Sequence, residues 1–108
     1  MAKESVIFMV GTNPNDPAQE EEFNRWYTHT HIPEVCRIPG VKKATRYQAL
    51  QPAEGYPKFV AIYEMDGEEG LASFTDHTRR QRKGELPSFT PGPPFQVVWR
   101  LAYKKIGP

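Results

Sequence analysis

Glu20 to Tyr47 reads EEEFNRWYTHTHIPEVCRIPGVKKATRY, a helix, a turn and the start of a strand in one run. Phe23, Tyr27 and His31 recur at i, i+4 and i+8, so they share one stripe of a helix, with Asn24, Trp26 and Thr30 flanking it. Just upstream, Asp16 is placed as an N-cap. Pro17 occupies the first helical position, where its missing N–H is harmless, and Gln19 completes a capping box. Glu20, Glu21 and Glu22 suit the positive end of the helix dipole as a solvated cap. The pattern predicts a helix running to about Arg37. Pro33 falls inside it, removes one backbone hydrogen bond and should kink the helix directly beside His31. Ile38-Pro39-Gly40 ends the helix, and Val41 to Leu50 alternates as a strand. Val41, Thr45, Tyr47 and Ala49 fall on one face of that strand, and Ala44, Arg46, Gln48 and Leu50 on the other.

Outward from this unit, Ser5 to Gly11 is short, apolar and β-branched, which reads as a strand buried on both faces. Lys58 to Met65 reads the same way. Asp66 is placed as the cap of a second helix, with Glu69 as its capping-box partner. Leu71, Phe74 and Thr78 give that helix an apolar stripe. The basic run Arg79, Arg80, Arg82 and Lys83 at its end suits the helix dipole, with anion binding as the alternative. Gly84 to Pro94 holds four prolines and two glycines and must be irregular. Phe95 to Tyr103 is the last strand, with Phe95, Val97, Trp99, Leu101 and Tyr103 on one face.

The order is therefore strand, helix, strand, strand, helix, strand. That is an α+β, ferredoxin-like βαββαβ arrangement, a four-stranded antiparallel sheet with both helices on one face. A sheet covered on one side should alternate apolar and polar residues. The first and third strands are apolar on both faces instead. A second copy packed face to face, closing an α+β barrel, is the economical cover for the bare side. A homodimer is the expectation.

Residues 1–108 make one domain near the commonest size. A formal charge of +1 favours neither nucleic acid nor an anionic membrane as partner. No apolar run approaches the roughly 20 residues a membrane-spanning helix needs. The start, Met1-Ala2-Lys3-Glu4-Ser5, leads straight into a run too short for a secretory signal. Cys36 is the one cysteine, so no internal disulfide forms, and it reads as a small buried filler. A cytoplasmic setting is the expectation. His29 and His31 lie about 200° apart round a helix, too far to chelate one ion, and no acidic third ligand is suitably spaced, so no metal is expected.

The string F-N-R-W-Y-T-H-T-H-I-P-E-V, then I-P-G-V, then R-Y, resembles the dimeric α+β-barrel superfamily, and within it the EthD-like small proteins. The resemblance covers most of the chain. It implies a ligand cleft between helices and sheet, lined by the stripe of the first helix. Polyketide cyclases, isomerases, cofactor-independent monooxygenases and haem-degrading enzymes share the superfamily, and shared fold is not shared function.

His31 is then the leading candidate, because its unperturbed pKa lies nearest neutrality. Tyr27, one turn back, is placed to orient it or to hydrogen-bond a substrate oxygen. His77 on the second helix is the second catalytic candidate, on the resemblance to cyclases with a histidine in that region. Asn24, Trp26, Arg46, Phe8 and Trp99 are the substrate-binding candidates, with core packing as the alternative for the aromatic residues among them and for Tyr63 and Phe59. Arg46 either holds a carboxylate or phenolate or pairs with Glu34 or Glu64. The expected function is cofactor-independent acid–base chemistry on an aromatic, polyketide-like or terpenoid/steroid-like metabolite, by a cyclase, dehydratase, isomerase or monooxygenase. The alternatives are a non-catalytic binding protein for a hydrophobic small molecule, and haem binding through His77 with Trp26 or Trp99.

Overall fold

A computed structural model describes residues 5–108. Met1 to Glu4, read above as the polar start of the chain, lie outside the described residues. The elements are β1 (Val6–Pro14), a 3-10 turn (Pro17–Gln19), α1 (Glu20–Trp26), a π-helical turn (Tyr27–His31), α2 (Ile32–Cys36), β2 (Val41–Gln48), β3 (Phe59–Met65), α3 (Gly67–Arg82) and β4 (Phe95–Lys104). The strands form one antiparallel sheet in the order β2-β3-β1-β4, the ferredoxin-like arrangement expected from the element order. Among the described residues no helix is long and apolar enough to cross a membrane.

Asp16 caps the first helical segment as its sequence position requires, its carboxylate accepting the Ala18 N–H at 2.9 Å. Gln19 adds no side-chain cap, nor does the Asp66 side chain cap α3. The long first helix is not one α-helix. At Tyr27 it widens into a π-turn in which the Ile32 N–H bonds the Tyr27 carbonyl, five residues back. Pro33, with no N–H to offer the next turn, sits just beyond. The irregularity expected as a kink is thus a widened turn, a form often found at functional sites.

The helix-facing side of the sheet holds the core. Val6, Val10, Phe59, Ala61, Tyr63 and Met65 are all under a tenth exposed, and Phe23, Tyr27 and Val35 close over them. Phe23 is fully buried, its ring 5.9 Å from Phe59 and 5.4 Å from Phe95. The chain turns into β2 through Gly40 at φ +101°, where a Cβ would stand 2.5 Å from the Gly70 carbonyl oxygen. Glycine at both positions lets the turn lie against the first turns of α3, and the Asp66 N–H donates to the Gly40 carbonyl at 2.8 Å.

β1 runs three residues beyond the expected Gly11, because Thr12, Asn13 and Pro14 pair with Val97, Gln96 and Phe95 of β4. The register of that pair slips between Gly11 and Thr12, where Gly11 faces Trp99 while Thr12 faces Val97. Val98 is the extra residue of a β-bulge. A slip of one residue exchanges the two faces of a strand. The single face predicted for Phe95, Val97, Trp99, Leu101 and Tyr103 is therefore split. Phe95 and Val97 point to the helices, whereas Trp99, Leu101 and Tyr103 share the outer face with Gly11, Met9 and Ile7, their pairing partners. Val41 also departs from the expected β2 phase, through a second irregularity between Val41 and Lys43.

The outer face carries Ile7, Met9, Val60, Ile62, Trp99 and Leu101, with Tyr47 and Tyr103 still 56% and 51% exposed. Its one ion pair among the described residues is Lys43 to Glu64 at 3.6 Å.

Candidate functional site

A cleft of about 600 Å³ opens on the helix-facing side of the sheet. Phe8 and Val10 from β1, Tyr63 from β3 and Phe95, Val97 and Arg100 from β4 form its floor. Tyr27, His31 and Val35 form one wall; Phe74, Thr75, Thr78, Gln81 and Arg82 of α3 form the opposite one. Ser88 and Phe89, from the proline-rich segment before β4, complete it. The lining is mainly apolar with a few polar groups, the usual make-up of a small-molecule site.

His31 lies at the centre of an aromatic cage. Its ring stacks on Trp26 with centroids 5.0 Å apart, and Tyr27 and Phe89 meet it edge-on at 4.8 and 5.0 Å. Burial pulls its pKa down to about 4, with Glu34 opposing the shift and Arg46 adding to it. The imidazole is therefore neutral at ordinary pH. Its Nδ1 is buried and, among the described residues, has no hydrogen-bond partner. Buried polar atoms are seldom left so.

Behind it the hydroxyls of Tyr27 and Tyr63 meet at 3.2 Å. Burial raises the pKa of both phenols, that of Tyr63 far above its ordinary value, so both keep their protons. One hydroxyl donates to the other. The second proton remains available to an oxygen in the cleft.

Of the eight catalytic and substrate-binding candidates, His31, Tyr27 and Phe8 line the cleft, and so does Tyr63, read in the sequence as wall or core. The other five do different work. Arg46 neither faces the cleft nor pairs with Glu34 or Glu64. It donates to the Asn24 side chain at 2.9 Å and to Thr28 Oγ1 at 3.0 Å, and its guanidinium lies 4.5 Å over the Tyr27 ring. Arg46 thereby pins the first helix to β2, and Asn24 is spent on that contact. Trp26 backs His31 and donates its indole N–H to the Thr90 carbonyl at 3.1 Å. Trp99 is on the other side of the sheet, turned there by the bulge, where it packs over Gly11 beside Pro57. His77 is absent from the cleft wall, lying about 100° round from the middle of the stripe formed by Phe74, Thr75, Thr78, Gln81 and Arg82. Haem ligation by His77 with Trp26 or Trp99 therefore has no common cleft to occupy.

The segment before β4 is held across the first helix from two sides. The Glu34 carboxylate accepts the Thr90 N–H at 2.9 Å and the Thr90 hydroxyl at 3.0 Å. Gly92 lies flat on the Trp26 ring, in a space no side chain fits. Phe89 is thus delivered to His31 from a stretch in which sequence shows only turn residues. Arg100 and Phe89 have no reading as site residues in the sequence, where Arg82 enters only within the basic run whose alternative role is anion binding. The bulge that turns Arg100 inward has no sequence signature, and the contacts of Phe89 are long-range. No group of three or more potential metal ligands occurs among the described residues.

Fold and cleft together define a small ferredoxin-like α+β domain of the kind that builds small-molecule sites. The chain belongs to the DUF4286 family, described as a domain of unknown function, whose model matches residues 5–89. No curated protein matches the sequence. Among solved structures, HapK from Hahella chejuensis is 15% identical, with 95% of this chain and 94% of that one covered at a TM-score of 0.62. A dimeric ferredoxin-like protein of unknown function from Thermobifida fusca YX is 18% identical, with 95% and 91% covered at 0.55. An EthD family protein from Bacillus halodurans C-125 is 16% identical, with 95% and 99% covered at 0.55. At these identities the likeness is one of fold, and it agrees with the EthD-like resemblance of the first helix.

Proposed function

We propose that this protein is an enzyme that moves a proton on a hydrophobic, aromatic or polyketide-like small molecule without a cofactor. One observation carries the reading: a neutral imidazole and a pair of protonated phenols line the same apolar cleft. A base next to a hydrogen-bond donor suits proton abstraction from a carbon beside a carbonyl. His31 takes the proton. The C–H electron pair becomes the enolate, whose oxygen accepts the free phenolic proton of the Tyr27–Tyr63 pair in a hydrogen bond. The imidazolium then returns its proton to another position of the carbon frame, leaving the protein unchanged. Enolate formation is the first step of aldol-type cyclisation, of double-bond isomerisation and of cofactor-free oxygenation alike. A base with a pKa near 4 is weak alone. The enolate charge forming beside it favours the imidazolium at the moment of transfer.

The test is exchange of α-protons. With 1-indanone in D2O, the wild type should speed loss of the α-proton NMR signal over buffer. His31→Ala should bind the ketone and lose the acceleration. Equal acceleration by both proteins would sink the assignment. Binding by both with acceleration by neither would leave a non-catalytic carrier of the same class of ligand.

The working unit in this reading is a homodimer. The apolar outer face supports it, since monomers seldom expose so large a patch, as does the dimeric neighbour of the same fold.

A further inference from the structure

We propose that the cleft selects a ligand bearing a carboxylate, held by Arg82 and Arg100; this rests on the small-molecule reading above and narrows its substrate class. The basic run at the end of α3 does not act as one group. Arg79 pairs with Asp76, and Arg80 donates to Glu85 at 3.4 Å. Arg82 instead lines the cleft. The negative end of the helix accounts for a cation there, but it does not account for Arg100, which lies on a strand.

Arg100 lines the same cleft. Its neighbours along the inner face of β4 are Phe95 and Val97, and its partner on β1 is Val10. The Val98 bulge is what brings it there: in an unbroken strand Trp99 would follow Val97 inward and Arg100 would face out. Bulges re-aim side chains next to binding sites. Arg100 acts electrostatically on the Tyr27 phenol, so its charge is felt at the reacting end of the cleft. Among the described residues neither Arg82 nor Arg100 has a carboxylate partner. Both arginines are solvent-exposed, so their charges stand on the part of the cleft lining that meets water. An anionic ligand in the cleft supplies the partner that both lack, and the guanidinium fork matches a carboxylate. The ligand is accordingly an amphiphile: an apolar body among Phe8, Phe74 and Phe89, and a carboxylate toward the arginines.

The experiment compares 2-naphthoate with its neutral counterpart 2-naphthalenemethanol by titration calorimetry. The wild type should bind the acid about tenfold or more tightly than the alcohol, a preference of the size expected for charge-assisted hydrogen bonds and one that shrinks with added salt. Arg82→Gln and Arg100→Gln should each cut acid binding severalfold and leave alcohol binding unchanged. Arg82→Lys and Arg100→Lys should retain part of the preference, and their circular dichroism guards against loss of fold. Equal binding of acid and alcohol by the wild type would overturn the carboxylate assignment while leaving the cleft reading intact. Binding of neither probe would overturn both.

Discussion

The Trp26 indole lies on the His31 imidazole with planes inclined by only 22°. The two residues are five apart. In a regular α-helix that spacing puts side chains about 140° apart. The π-turn at Tyr27–His31, bonding five residues back, brings them into line. The same turn keeps Tyr27 against His31, so one irregularity builds two walls of the imidazole's cage.

The Tyr27–Tyr63 hydroxyl pair should behave as a coupled unit. Tyr63→Phe leaves the Tyr27 hydroxyl buried without its partner and should cost on the order of 1–2 kcal/mol of stability. The double variant Tyr27→Phe with Tyr63→Phe should cost less than the two single variants combined, because no orphan remains. Urea denaturation of the four proteins measures the difference. The double variant should also slow exchange of 1-indanone α-protons, since the enolate then loses its donor.

His31 should make the fold sensitive to mild acid. Its pKa is near 4 in the folded protein against an ordinary value near 6.5 in the unfolded chain. As pH falls below 6.5 the unfolded state takes up the proton first, so stability declines until about pH 4, where the folded state titrates too. The loss from this residue is on the order of 3 kcal/mol. His31→Phe should flatten that part of the stability–pH curve relative to wild type, as read by denaturant midpoints between pH 7 and 4. Parallel curves for the two proteins would contradict a buried, neutral imidazole.

Gly92→Ala should disturb the site from a distance. An added Cβ would overlap the Trp26 ring, so ring or loop must move, at a cost of about 1–3 kcal/mol. The melting temperature should fall, and the ring-current shift of the His31 imidazole protons should change as its stack on Trp26 loosens. An unchanged imidazole spectrum would show that Gly92 does not hold the cage.

A charge on the outer sheet face should keep the chain monomeric. The wild type is expected to scatter light as twice 12.4 kDa. Ile62→Asp places a carboxylate amid the apolar outer face and should give a species of about single-chain mass with unchanged far-ultraviolet dichroism. A wild type that is monomeric at micromolar concentration would contradict the pairing of sheets.

The sequence by itself determined the element order, the sheet, and the stripe that turns Tyr27 and His31 inward. These follow from local periodicity and from turn residues such as Ile38-Pro39-Gly40, and local signals survive without a partner in view. It also located the break beside Pro33, though not its form, because the missing N–H is visible in the residue type while the π-turn that answers it depends on packing. Tertiary structure alone decided what Arg46, Trp99, Phe89 and Arg100 do. Arg46 was taken up by Asn24 and Thr28, a choice among long-range acceptors. Trp99 and Arg100 exchanged faces through one extra residue at Val98, and a strand's register is set by its neighbour rather than by its own alternation. Phe89 reached His31 only because Glu34 and Trp26, more than fifty residues upstream, hold Thr90 in place.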